Sequence, residues 1–86
     1  MPTKTVTVGS SVGLHARPAG LIAQAAADTG VTVTIANVGD DEGVDAGSAL
    51  LIMTLGAKFG DQVVVESDDE AALATVAGLV EQDLDA

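Results

Sequence analysis

One short segment holds the residue types in this chain that are best suited to chemistry. It reads Val-Gly-Leu-His-Ala-Arg-Pro-Ala over residues 12–19 and contains the only histidine, His15, and one of the three basic residues, Arg17. A histidine ring nitrogen can act as a nucleophile, and an arginine guanidinium can hold phosphate oxygens through several N–H donors. We therefore interpret His15 as a residue that accepts a phosphoryl group and Arg17 as a ligand of that group.

The residues after His15 predict the element that positions it. Pro18 has a fixed backbone angle that suits the first turn of a helix, and alanine-rich sequence with apolar residues at helical spacing follows it. The pattern predicts a helix over residues 16–28, with one face formed by Pro18, Leu21, Ile22 and Ala25. His15 is then at a helix N-terminus, where backbone N–H groups without partners favour an anion.

The segment Gly-Leu-His-Ala-Arg-Pro-Ala over residues 13–19 resembles the active-site signature of HPr, the histidine-containing phosphocarrier family of the bacterial phosphoenolpyruvate:sugar phosphotransferase system. Chain length, the order of elements and a Gly-Ser pair before a short apolar helix resemble the family along the whole chain. The resemblance implies phosphorylation of His15 on Nδ1, with the phosphate held by Arg17 and by the backbone amides of Ala16 and Arg17. It also implies Enzyme I as the phosphoryl donor and IIA domains of sugar permeases as acceptors.

The same resemblance suggests roles for the segment that begins at Ser48. Ser48 matches a serine that a dedicated kinase phosphorylates in some members, so a serine kinase/phosphorylase is a candidate partner. Leu50, Ala49 and Met53 match positions that dock partner proteins. From its residue type alone, Ser48 also suits the N-cap of a helix ending near Thr54, so a capping role without regulation stays open. The run of apolar residues in this helix is too continuous to be buried completely, which predicts a small exposed apolar patch.

The remaining sequence predicts strands and one more helix. Polar and apolar residues alternate over residues 5–8 and 31–35, with Val31, Val33 and Ile35 on one face of the second strand. A short strand is expected near Val44 and a buried strand over residues 63–65. Ser67 and Glu70 form a capping-box pattern before a last helix, whose apolar face is formed by Leu73, Val76, Ala77, Val80 and Leu84.

This order of elements favours an α+β fold in which helices pack on one face of an antiparallel sheet. The resemblance makes the expectation specific: a single HPr-like domain over residues 1–86, built as an open-faced β-sandwich with a four-stranded antiparallel sheet covered on one face by three helices. Such a fold leaves the active-site face free, and the resemblance implies a monomer.

Composition excludes several other classes of function. The chain has 13 acidic and three basic residues and a formal net charge of −10, which argues against a nucleic-acid partner. It has no cysteine and one histidine, so neither a thiolate nor a multi-histidine metal site can form, and we expect no metal and no cofactor. The acidic loop over residues 39–43 lacks the ligand spacing of a calcium loop. No apolar run suits a signal peptide or a membrane span, so we expect a cytoplasmic protein.

Taken together, these features predict a phosphocarrier that is a protein substrate of phosphotransferases and not itself an enzyme. An alternative is an HPr-like carrier that serves a dihydroxyacetone kinase or a nitrogen-regulatory phosphorelay, with the same histidine and a different donor and acceptor. A small hydrolase that uses His15 as a general base is disfavoured, because no nucleophile or carboxylate is spaced beside the histidine to orient its ring.

Overall fold

The chain forms one four-stranded antiparallel sheet and three helices in a computed structural model that describes residues 2–84. In chain order the elements are β1 (Thr3–Thr7), α1 (Ala16–Asp28), β2 (Thr34–Asn37), β3 (Val44–Asp45), α2 (Ala49–Thr54), β4 (Gln62–Glu66) and α3 (Glu70–Glu81). The strands are ordered β1-β4-β2-β3 across the sheet, so β4 is hydrogen-bonded to both β1 and β2. The helices pack on one face, which confirms the predicted α+β open-faced β-sandwich.

Alternation along the central strand β4 separates the two faces of the sheet. Val63 and Val65 are fully buried beneath the helices, whereas Val64 between them is half-buried on the opposite face. Val6 of β1 pairs with Val63, and Ile35 of β2 pairs with Val65. Both partners are buried, so the register aligns the apolar residues of three strands in one layer.

An aliphatic cluster between the sheet and the helices forms the core. Each helix contributes a fully buried branched side chain, from Ile22 of α1, Ile52 of α2 and Val76 of α3. Burying a side chain of this kind contributes about 1.5–3 kcal/mol. The only aromatic residue, Phe59, is 64% exposed and takes no part in this cluster. The core is therefore built without aromatic side chains.

The second strand differs from its predicted position. β2 begins at Thr34 instead of Val31, and Val31 is 41% exposed, so the expectation that it shares a buried face with the next two apolar residues is wrong. The reason lies in the turn after α1, where Gly30 has a φ of +73°. The chain first reaches the sheet at Val33, whose carbonyl accepts a hydrogen bond from the N–H of Ala46 at 2.9 Å.

The start of the last helix also differs from the prediction. Asp69, and not Ser67, is the N-cap of α3, and its Oδ1 accepts a hydrogen bond from the N–H of Ala72 at 3.0 Å. The predicted capping box is therefore wrong, because the Ser67 hydroxyl is buried and donates to the carbonyl of Thr32 at 2.9 Å. The predicted apolar face continues beyond the end of the helix, since Leu84 follows α3 and packs against the core from there.

Candidate functional site

His15 is the N-cap residue of α1. Its backbone is extended, with φ −91° and ψ −172°, and its carbonyl accepts the first helical hydrogen bond, from the N–H of Ala19 at 2.8 Å. The imidazole makes no capping hydrogen bond, and the residue is exposed. The backbone of His15 therefore starts the helix, while its ring nitrogens are left available for another group.

The first turn of α1 offers two backbone N–H groups to a ligand beside His15. Ala16 and Arg17 are its first two residues, and no hydrogen bond within residues 2–84 occupies either amide. Pro18 is the third and has no N–H to offer. The turn contains no acidic residue, so the positive end of the helix is not neutralised by its own side chains. The geometry suits an anion that contacts two adjacent amides.

Arg17 adds a full positive charge to this helix end. Its side chain is exposed, and within residues 2–84 no ion pair or hydrogen bond engages its guanidinium. Pro18, the next residue, is buried and fixes the same turn to the core. The structure thus brings together His15, Arg17 and the amides of Ala16 and Arg17, as the sequence predicts for a phosphate site.

The loop before His15 is held against a second loop, at Ala57. The N–H of Leu14 donates to the carbonyl of Ala57 at 3.0 Å, and the Leu14 side chain is buried. Gly13 has a φ of +74°, and a Cβ at this position would lie 2.5 Å from the Ala57 oxygen and 2.9 Å from Cα of Lys58. Glycine is therefore required by both the backbone angle and the close approach.

Ser48 caps α2, as its residue type predicts. Its Oγ accepts a hydrogen bond from the N–H of Leu51 at 3.3 Å, and its carbonyl accepts one from Ile52 at 3.0 Å. Ser48 is half-buried. The capping role of Ser48 is confirmed, and phosphorylation of this residue stays a prediction.

The three residues of the predicted partner surface differ in how exposed they are. Leu50 is 70% exposed and is the most accessible large apolar side chain in the described part of the chain. Ala49 and Met53 are half-buried and pack against the core cluster. Leu51 is 39% exposed, whereas Ile52 is fully buried. The helix therefore exposes a small apolar patch, as its unbroken run of apolar residues predicts.

Three exposed apolar residues on α1 and in the two loops described above were not among the candidates from sequence. Leu21 is 45% exposed, one turn after Arg17 on the same face of α1, so its predicted place on the buried face is wrong. Pro18 and Ile22 are buried as predicted, Ala25 is half-buried, and Ala19, Ala23 and Ala26 complete the buried face of the helix. Val12 is 57% exposed in the loop before His15. Phe59 is 64% exposed and lies two residues after Ala57, which contacts that loop. Of these three, only Phe59 is marked in the sequence, because it is the single aromatic residue of the chain.

The structure also bears on metal binding and on membrane insertion. Within residues 2–84 no group of three or more histidine, aspartate or glutamate side chains is arranged to hold a metal ion. No helix in that range has the length and apolar character needed to cross a bilayer.

Comparison with known proteins places this site in a family. Residues 2–82 match the family model described as "PTS HPr component phosphorylation site". The phosphocarrier protein HPr of Streptomyces coelicolor is 46% identical over 88 residues, an alignment that covers 99% of this chain and 94% of that protein.

Solved structures agree in fold. A phosphocarrier protein HPr from Bacillus anthracis superposes with a TM-score of 0.80 at 34% identity, covering 92% of this chain and 95% of that one. HPr-C-His from Thermoanaerobacter tengcongensis gives a TM-score of 0.82 at 32% identity, covering 94% and 92%. A match along almost the whole chain, in sequence and in fold, means that this protein belongs to the HPr family of phosphocarrier proteins of the phosphotransferase system, which carry phosphoryl groups and are not catalysts.

Proposed function

We propose that this chain carries phosphoryl groups on His15, from phosphorylated Enzyme I to IIA domains of sugar permeases. The observation that supports the proposal is an exposed histidine at the head of α1, beside two amides and an arginine side chain that have no partner within residues 2–84. In each transfer a ring nitrogen of His15, Nδ1 in our assignment, uses its lone pair to form a bond to phosphorus while the bond from phosphorus to the donor breaks. The phosphohistidine then gives the group to the acceptor by the same displacement.

Arg17 and the two amides hold the phosphate oxygens in this proposal. The positive end of a helix stabilises an exposed anion by about 0.3–1 kcal/mol, and the exposed guanidinium adds a contact that water screens. Stabilisation of this size orients the phosphoryl group without making it difficult to release. A carrier needs this balance, because it must give up the group at every cycle.

Docking of the two protein partners is assigned to the apolar patch on α2. Leu50 is the main contact in this assignment because it is the most exposed, with Ala49 and Met53 supporting it. We further propose that the protein acts as a monomer in the cytoplasm, since a carrier that meets a donor and an acceptor in turn needs its active-site face free.

The test is to incubate the protein with phosphoenolpyruvate and the purified Enzyme I of the same organism. Mass spectrometry and phosphorus NMR should show one acid-labile phosphate on His15 that is absent from His15→Ala. Arg17→Ala should still be labelled, at a rate lower by about tenfold, because a charge-assisted contact to the transferring group is lost.

Transfer to a purified IIA domain should then remove the label. If an active Enzyme I leaves no phosphate on His15, the sugar-transport assignment is contradicted. Donors from dihydroxyacetone-kinase or nitrogen-regulatory phosphorelays would be tried next, because they would use the same histidine.

A further inference from the structure

The loop that carries His15 is fastened at its beginning by a buried serine hydroxyl. Ser10 is 1% exposed. Its Oγ donates a hydrogen bond to the carbonyl of Gln82 at 3.2 Å and accepts one from the N–H of Leu84 at 3.2 Å. Both partners lie just after the end of α3. A single side chain therefore ties the start of the active-site loop to the segment that follows the last helix.

Backbone contacts hold the preceding residue just as closely. The N–H of Gly9 donates to the carbonyl of Val80 at 3.0 Å, which satisfies one of the carbonyls left without a partner at the end of α3. A Cβ on Gly9 would lie 1.9 Å from the carbonyl oxygen of Glu81, so no larger residue fits without a shift of the backbone. The loop thus lies directly against the last turn of the helix.

Two further hydrogen bonds fix the backbone between Ser10 and His15. The carbonyl of Ser10 accepts the N–H of Gly13 at 2.8 Å and closes a tight turn. The next residue, Leu14, donates its N–H to the carbonyl of Ala57 at 3.0 Å. The loop is therefore fixed at both ends, by the end of α3 on one side and by the Ala57 loop on the other.

We propose that Ser10 is a positioning residue for phosphoryl transfer at His15, and this inference rests on the function proposed above. Without the hydroxyl, the Gln82 carbonyl and the Leu84 N–H lose a shared partner, and the bond from the Gly9 N–H to the Val80 carbonyl is left to hold the start of the loop to the end of α3. The imidazole then samples orientations in which its nitrogen is not aligned with the phosphorus of the donor. Transfer becomes slower, because the aligned geometry is populated for less of the time.

The chain offers a matched control in Ser67, the other fully buried polar residue within residues 2–84. Its Oγ donates to the carbonyl of Thr32 at 2.9 Å and accepts the N–H of Asp69 at 3.2 Å. These contacts join the segment after α1 to the start of α3, and no hydrogen bond links them to the loop over residues 10–14. Ser67→Ala therefore removes the same kind and number of hydrogen bonds as Ser10→Ala without touching the site.

The experiment compares Ser10→Ala, Ser67→Ala and the wild type in thermal unfolding and in phosphorylation by phosphorylated Enzyme I. Both variants should lose about 5 °C in Tm. Only Ser10→Ala should be phosphorylated more slowly, by about 3- to 30-fold in kcat, with an unchanged KM as the substrate of Enzyme I. Only this variant should shift the His15 ring signals in NMR spectra. Equal rates and equal ring signals in the two variants would overturn the proposal.

A second measurement uses the wild type and does not depend on how the variants fold. Phosphorylation of His15 should shift the amide signal of Leu84, which donates to Ser10, and leave that of Asp69, which donates to Ser67, unchanged. An unchanged Leu84 signal contradicts the proposed connection between His15 and Ser10. Failure of the wild type to be labelled contradicts the proposed function, whereas normal labelling with equal variants contradicts only the role of Ser10.

Discussion

At the scale of single residues, backbone atoms shape the candidate site as much as side chains do. The amides of Ala16 and Arg17 follow the histidine and make no hydrogen bond within residues 2–84, and the carbonyl of Ala57 fixes Leu14. Gly13 allows this contact because it has no Cβ to meet the neighbouring loop. Conservative side-chain changes should therefore be tolerated at many positions, while a change in backbone freedom at Gly13 should not.

Gly13→Ala should destabilise the protein by about 1–3 kcal/mol, because the new Cβ adopts an unfavourable φ and meets the backbone of residues 57 and 58. Gly78→Ala is the control: it lies inside α3, and a Cβ there has no heavy atom within 4 Å. The control should be stabilised by about 0.5–1 kcal/mol. Urea denaturation measures both free energies of unfolding, and a shift in the same direction for the two variants would contradict the argument.

At the scale of elements, the three helices differ in whether a side chain caps the first turn. Ser48 and Asp69 accept hydrogen bonds from the amides of α2 and α3. His15 makes no such bond at the start of α1. The first turns of α2 and α3 are therefore capped by side chains, and the first turn of α1 is the one left open to an anion.

Asp69→Ala should reduce the free energy of unfolding by about 0.5–2 kcal/mol, because the N–H of Ala72 loses its acceptor at the start of α3. Asp69→Asn keeps an acceptor oxygen at the same position and should retain most of the stability. Chemical denaturation of both variants tests the cap. Equal losses for alanine and asparagine would show that the carboxylate acts through its charge and not as a cap.

A feature of the fold or of the site could be predicted from the sequence where neighbouring residues determine it. The start of α1 and the cap at Ser48 follow from neighbouring residues, so the pattern was sufficient for both. The prediction of the α3 cap was wrong because the Ser67 hydroxyl donates a hydrogen bond to the carbonyl of Thr32, which lies 35 residues away in the sequence. The contacts of Ser10 could not be predicted for the same reason. Its hydroxyl is hydrogen-bonded to Gln82 and Leu84, which lie 72 and 74 positions further along the chain.

The exposure of Leu21 on α1 shows a second limit of prediction from sequence. Helical spacing defines a face of Leu21, Ile22 and Ala25 as readily as one of Ile22, Ala23 and Ala26, because alanine fills both. The direction from which α2 and α3 approach decides between them, and that is a property of the tertiary structure. The sequence pattern therefore predicted the helix and the burial of Pro18 and Ile22, and it was wrong about Leu21.

At the scale of the whole molecule, charge is the dominant feature. Thirteen acidic residues and three basic ones are carried by a body that measures 29 × 26 × 19 Å. At 0.01 M salt the screening length is about 30 Å, so every carboxylate in the molecule interacts with every other one. Self-repulsion of this kind weakens the compact state.

Stability should therefore rise with ionic strength. We expect the urea midpoint to increase between 0.01 M and 1 M sodium chloride, over which the screening length falls to about 3 Å. The double variant Asp40→Asn/Asp41→Asn, in the exposed loop before β3, removes two negative charges and should show a smaller increase. A midpoint that does not change with salt, or an equal slope in both proteins, would contradict the argument.

The strand order has a consequence for how the protein acquires its site. Because β4 lies between β1 and β2, the ladder that holds the first strand cannot form until residues 62–66 exist, and only the pairing of β2 with β3 is local. Closing so long a loop costs entropy before any contact repays it, which favours a single late folding event over stepwise assembly. A chain cut short before β4 would contain the entire histidine motif and still lack the geometry of the candidate anion site.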